Sequence, residues 1–244
     1  MAKPAIIGAA LLLLAGIAPV EAGPIVSFAG HEWNVRDYGG GPGPNEWSAD
    51  NVYVDEAGLH LKITQVDGVW RCAEVTMLDT LGFGTYQFEI DGRPDRLDKN
   101  VVLGLFNYPA SPEIGPDGSN EIDIEFAQWG IAEQQNRLNW SVYPPALGPK
   151  PTHRDVPLSL TGSQSTYRFE WSADGVRYGA YSGYGAIDEA HRLAGWNNAP
   201  AKPATRIPQV PLAIHINLWL SNGAAPSDGQ PVELVIHGFS FTPA

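Results

Sequence analysis

The chain has 244 residues, 43% of them hydrophobic, with 27 Gly and 21 Pro against a single cysteine. It is long enough for one substantial core, too rich in turn residues for long helices, and unable to form an intrachain disulfide. A formal charge of −12 makes nucleic acid and anionic membranes poor partners and leaves a neutral polymer compatible.

The N-terminus carries Lys3, an apolar run over residues 5–18, and the small residues Val20 and Ala22 before Gly23. That is the pattern of a secretory signal peptide cut after residue 22. The run is too short to span a bilayer comfortably, and no cysteine stands near the cut to take a lipid. The expectation is a secreted protein, extracellular or periplasmic, with a single domain over residues 23–244, no membrane span and a monomeric state.

Beyond the leader, alternation at period two recurs between clusters of Gly, Pro or Asp. It predicts strands near 25–36, 51–54, 58–65, 70–77, 84–91, 100–108, 120–126, 136–143, 166–171, 174–181, 212–220 and 232–242. Only residues 186–193 read helically. Two proline-bearing segments, 144–157 and 194–211, read as long irregular loops able to rim a cleft. So many strands without helices to cover a parallel sheet imply an all-β sandwich of two curved antiparallel sheets. The glycine-proline run at 39–44 lacks the following Lys-Ser/Thr of a phosphate loop, and no Gly-x-Ser-x-Gly elbow occurs.

The most informative stretch is Glu121-Ile-Asp123-Ile-Glu125-Phe126. As a strand it sets Glu121, Asp123 and Glu125 on one face and Ile122, Ile124 and Phe126 on the other. Three carboxyls on one face repel, so at least one keeps its proton at neutral pH, which puts an acid beside a base. A glycosidase needs that pair to protonate a leaving oxygen while the second carboxylate attacks or activates water. Cα atoms four residues apart on a strand lie roughly 13 Å apart, and inward-leaning side chains bring the carboxyls to roughly 5 Å, the retaining separation. Asp123 is too short to fill the gap and can hydrogen-bond Glu121.

With this motif the chain resembles glycoside hydrolase family 16, in the unbulged branch of the licheninases and xyloglucan transglycosylases. The resemblance extends through Ala73-Glu-Val-Thr-Met77, Gly82–Ile90, Asn100–Tyr108, Asn139-Trp140, Tyr167–Trp171 and Asn217-Leu-Trp219, in the family's order. It implies a concanavalin-like jelly roll, with Glu121 as nucleophile, Glu125 as general acid/base and Asp123 tuning Glu121. It further places Glu74, Phe106 and Tyr108 in the cleft and matches Asn45 to a substrate-contacting asparagine. Three positions depart from the licheninase pattern: Thr76 stands for an arginine, Ser119 for a tryptophan and Ser141 for a tyrosine.

Residue alternation adds to the site. In Ala213–Leu220, His215, Asn217 and Trp219 share the face opposite the isoleucines and leucines, so an indole can stack on a pyranose while an amide binds its hydroxyls. Asn139 alternates with core-facing Leu138 and Trp140 and is expected to face sugar, as is Tyr143. Trp33, Trp47, Trp70, Trp129, Trp140 and Trp171 read as core or rim. Cys72 reads as a buried small hydrophobe. No cofactor is expected, and no metal spacing is visible; some family members carry a structural calcium, but the last strand, Val235–Phe241, has no acid to ligate it. The functional expectation is a retaining endo-glycosidase acting on a β-linked, β-glucan-like polysaccharide. A transglycosylase of the same fold, or a non-catalytic lectin-like protein, is the alternative.

Overall fold

The computed structural model describes residues 23–185 and 187–244, so the expected leader at 1–22 lies outside the described residues. In chain order the strands are β1 Ile25–Phe28, β2 His31–Val35, β3 Glu46–Trp47, β4 Val52–Asp55, β5 Gly58–Val66, β6 Val69–Leu81, β7 Gly84–Asp91 and β8 Val101–Tyr108. They continue as β9 Glu121–Phe126, β10 Asn136–Tyr143, β11 Thr152–Pro157, β12 Gln164–Ser172, β13 Gly175–Ser182, β14 Arg192–Asn198, β15 Leu212–Leu220 and β16 Val232–Pro243. Short 3₁₀ turns are the helical elements among the described residues.

One sheet runs β11-β10-β9-β8-β15-β6, with β2 and β1 added beyond β6. The other runs β5-β16-β7-β12-β13-β14, with β4 on the outer side of β5. Pairing is antiparallel except for the short β3, which lies parallel to β6. The two sheets meet at one edge because β6 is long: its start pairs with β5 and its later part with β2. This is the two-sheet sandwich expected from the alternation, in the jelly-roll form that the resemblance implies.

Period-two patterning explains why the layers stack. Ile122, Ile124 and Phe126 are all buried, and so are Leu138, Trp140 and Val142 on the neighbouring strand. Opposite them, the second sheet supplies aromatics: Phe126 meets Tyr167 edge-on at 4.6 Å, and Trp140 stacks on Tyr178 at 5.4 Å. At the other end Trp33 meets Phe239 at 5.8 Å. Each such side chain removed from water contributes about 1.5–3 kcal/mol.

Three expectations change. The run at 25–36 is a hairpin rather than one strand, because Ala29 and Gly30 take positive φ (53° and 79°) and turn the chain. Residues 186–193 are not helical: bends and turns lead into β14 from Arg192, Ala186 lying outside the described residues. The segments 144–157 and 194–211 are only partly irregular, since the first ends in β11 and the second begins within β14. Both strands sit at sheet edges and bury few side chains, so no apolar alternation marks them.

Candidate active site

β9 lies between β8 and β10 with unbroken register on both sides, so its three acids keep a strict two-residue rise. The pairing arranges concave-face residues in rows across the sheet. One row is Asn139, Glu125, Gly104, Asn217 and Glu74; the next is Ser141, Asp123, Phe106, His215 and Thr76. Tyr143 stands beside Glu121. Above these rows opens a cleft of about 660 Å³ whose floor holds all three carboxylates.

Gly104 shapes that floor. A Cβ there would come within 2.4 Å of Asn217 Oδ1, so the missing side chain lets Asn217 lie across the sheet beside Glu125. Asn217 Oδ1 and Asp123 Oδ1 are buried without a partner, so polar groups stand available at the bottom of the cleft.

Burial governs the charge state of the acids. It pushes Glu125 up to about 8, helped by the charges of Glu121 and Asp155. It lifts Glu121 to about 7, although a hydrogen bond with Asp123 works against the rise. Asp123 is held well above the ordinary carboxylate range, by burial and then by the flanking carboxylates, so it keeps a proton that it can donate toward Glu121. Near neutral pH Asp123 and Glu125 therefore favour their protonated forms, while Glu121 titrates at about 7.

Glu74 behaves differently. Burial alone would raise it, but a hydrogen bond from His215 and the charges of His215 and Arg36, with Asn217, hold it below the ordinary range. Arg36 Nη1 lies 3.3 Å from Glu74 Oε2 and also donates to Gly41 O at 2.8 Å, while its guanidinium covers Trp47 at 4.3 Å. Arg36 thus supplies from beyond β2 the cation that Thr76 does not provide within β6. His215 completes the cluster, with Nδ1 3.1 Å from Thr76 Oγ1 and its ring stacked on Phe106 at 5.1 Å.

The structure brings Glu74, Phe106, Tyr108, Tyr143, Asn217 and Trp219 into the cleft lining with the three acids. Asn45 and Asn139 take other places. Asn45 is buried, donating to the carbonyls of Pro42 and Leu220 at 2.7 and 3.0 Å and accepting from Cys72 Sγ. It pins the loop whose residues 41–43 form part of the wall. Asn139 is buried too, with its Nδ2 near the carbonyls of Ala127 and Arg137 at 3.2 and 3.3 Å. Strand alternation turns Asn139 off the core face but does not show what covers it, and the resemblance that matched Asn45 does not show its burial. Arg36 and Asp117 line the cleft without having been singled out, since each arrives from a segment with no local pattern, and Trp129, read as core or rim, stands on the cleft wall. Cys72 is buried, and that burial lifts its thiol to about 12, which leaves it inert.

His237 Nδ1 donates to Ala57 O at 3.0 Å and its ring stacks on Tyr184 at 4.5 Å. Among the described residues no group of three or more His, Cys, Asp and Glu is placed to hold a metal.

The curved antiparallel sandwich carries an unbulged Glu-x-Asp-x-Glu strand across its cleft, and the chain is similar in sequence to one beta-glucanase and in fold to several solved glucanases. No protein-family profile matches it. It is 26% identical to a beta-glucanase of Bacillus licheniformis over 183 residues, which cover 73% of this chain and 63% of that protein. The match therefore spans somewhat under two thirds of the curated relative's length. A solved Bacillus licheniformis beta-glucanase superposes with a TM-score of 0.62 at 22% identity, over 87% of this chain and 92% of the other. A Bacteroides ovatus mixed linkage glucan GH16 in complex with product gives 0.66 at 12% identity, over 86% and 94%. A Mycobacterium tuberculosis immunostimulatory antigen and pseudo beta-1,3-glucanase gives 0.64 at 18% identity, over 87% and 91%.

Proposed function

We propose that the protein is a retaining endo-glycosidase that hydrolyses a β-linked, β-glucan-like polysaccharide, exported by the leader expected over residues 1–22. The observation that carries this reading is the row of half-buried Glu121, buried Asp123 and half-buried Glu125 on the floor of an open cleft. Three carboxylates crowded on one partly buried face are costly to keep, and a protein that only bound sugar would gain nothing from them.

In the proposed reaction Glu125, protonated at neutral pH, gives its proton to the glycosidic oxygen as the bond to the anomeric carbon breaks. Glu121 attacks that carbon and forms a glycosyl-enzyme, its carboxylate steadied by the hydrogen bond with Asp123. Water then enters, Glu125 takes its proton, and the sugar leaves with the configuration it began with. Asn217 and Glu74 lie in the same row as Glu125, placed to meet sugar hydroxyls, with half-buried Phe106 beside them and Trp219, only 8% exposed, at the cleft lining. Similarity to named beta-glucanases supports the choice of substrate class. Transfer to a sugar hydroxyl would use the same intermediate, and product analysis separates it from hydrolysis.

The test is a panel of mixed-linkage glucan, laminarin, xyloglucan, agarose and carrageenan with reducing-sugar readout, followed by NMR of the anomeric proton at early times. Cleavage with the β anomer formed first is the expected result. Initial release of the α anomer would overturn the mechanism, and no cleavage of any member would overturn the catalytic reading.

A further inference from the structure

Trp129 is held in a conformation that a tryptophan rarely adopts. Its φ is +54° and that of Gly130 is +80°, and Ile131 N donates to Gln128 O at 2.9 Å across the turn. Positive φ at both central positions of such a turn favours Gly, Asn or Asp; a bulky side chain there is strained. The surroundings enforce it. Gln128 Nε2 donates to Ala132 O and Gln134 O at 3.1 and 3.0 Å, and Gly130 N donates to Lys99 O at 2.8 Å. Asn139 Oδ1 accepts from Trp129 Nε1 at 3.3 Å, while its Nδ2 ties down the carbonyl of Ala127. This network leaves the indole 37% exposed on the cleft wall, with its centroid 6.1 Å from that of Trp219 and the planes inclined by 57°.

A strained backbone, a dedicated acceptor and an exposed indole are not what a core tryptophan needs. Trp219 sits one pleat beyond Asn217, and Trp129 four residues beyond Glu125, so the pair stands on the Glu125 side of the cleft, away from Glu121. We infer that Trp129 and Trp219 together form an aromatic subsite that grips one neutral pyranose unit beside Glu125, with Asn139 as the positioning residue that aims Trp129. The inference rests on the carbohydrate reading of the cleft, but on binding rather than on turnover. It also gives the buried Asn139 a role, although its side chain does not reach the sugar.

The test compares Glu121→Gln protein with the same protein carrying Trp129→Gly, Trp129→Phe or Asn139→Ala. Affinity electrophoresis on each polysaccharide of the panel and titration with mixed-linkage glucan hexasaccharide and laminarihexaose read binding. Thermal melts read stability. Because glycine suits positive φ, Trp129→Gly is expected to melt at the same or a higher temperature while affinity falls about tenfold. Trp129→Phe is expected to recover part of that affinity. Asn139→Ala is expected to weaken binding in the presence of Trp129 and to have no further effect in Trp129→Gly. A Trp129→Gly protein that binds as tightly as its parent overturns this inference alone. Binding by the parent without hydrolysis by the wild type overturns the catalytic reading alone, and a parent that binds no polysaccharide overturns both.

Discussion

Glu125 sits half-buried on the cleft floor between Gly104 and Asn139, and this burial, with the charges of Glu121 and Asp155, keeps its proton on to about pH 8. Glu125→Gln and Glu121→Gln each keep the volume and remove one half of the proposed pair. Both should fold normally and lose about 10²- to 10⁴-fold in kcat, measured on the best substrate of the panel. Asp123→Asn should lose less and shift the pH profile, because it alters the field at Glu121; an unchanged profile would remove its tuning role. The same burial has a thermodynamic sign. Glu125 titrates near 8 when folded and near its ordinary 4.5 when unfolded, so between those values the folded protein binds more protons. Stability is therefore full below pH 4.5 as far as this group is concerned, and falls as pH rises towards 8. Glu125→Gln removes that loss. Its Tm should exceed wild type by about 5 °C or more at pH 8.5, with the difference closing at pH 4.5; equal melting at both pH values would mean that the carboxyl is not desolvated.

At the scale of elements, β9 serves two purposes at once, since every second residue belongs to the cleft and the others belong to the core. Phe126→Ala should cost about 3–5 kcal/mol in urea unfolding, through the lost contact with Tyr167 and the cavity left between the sheets. Arg154→Ala, on the exposed part of edge strand β11, should change stability by no more than about 0.5 kcal/mol. The contrast explains which strands could be read in advance. Strands β5 to β10, β12, β13, β15 and β16 each bury several apolar side chains, so their composition records the sheet. β11 buries one side chain and β14 one, and neither leaves an apolar period to find. The split of β1 from β2 was hidden for another reason: alternation continues in both arms of a hairpin, and only the positive φ at Ala29 and Gly30 reverses the chain.

Across the whole molecule the charge of −12 acts on what the cleft admits, since Asp117 and the three acids of β9 add to it locally. Arg36 is paired with Glu74 and does little to offset them. Binding to carrageenan should be at least about tenfold weaker than to mixed-linkage glucan at low ionic strength, with added salt narrowing the gap; equal binding at low salt would point to a cationic path elsewhere on the surface. The same scale separates what the residues alone decide from what folding decides. Ile122, Ile124 and Phe126 alternate with Glu121, Asp123 and Glu125 within six residues, so strand geometry alone opposes a core face to an acidic face. Asn217 and Trp219 follow from the same local rule. Arg36 on Glu74, Trp129 against Trp219, and the covering of Asn45 and Asn139 come from segments far apart in the chain. Their places depend on strand order, on β6 passing from one sheet to the other and on turns held by hydrogen bonds to distant carbonyls, none of which leaves a period in the sequence.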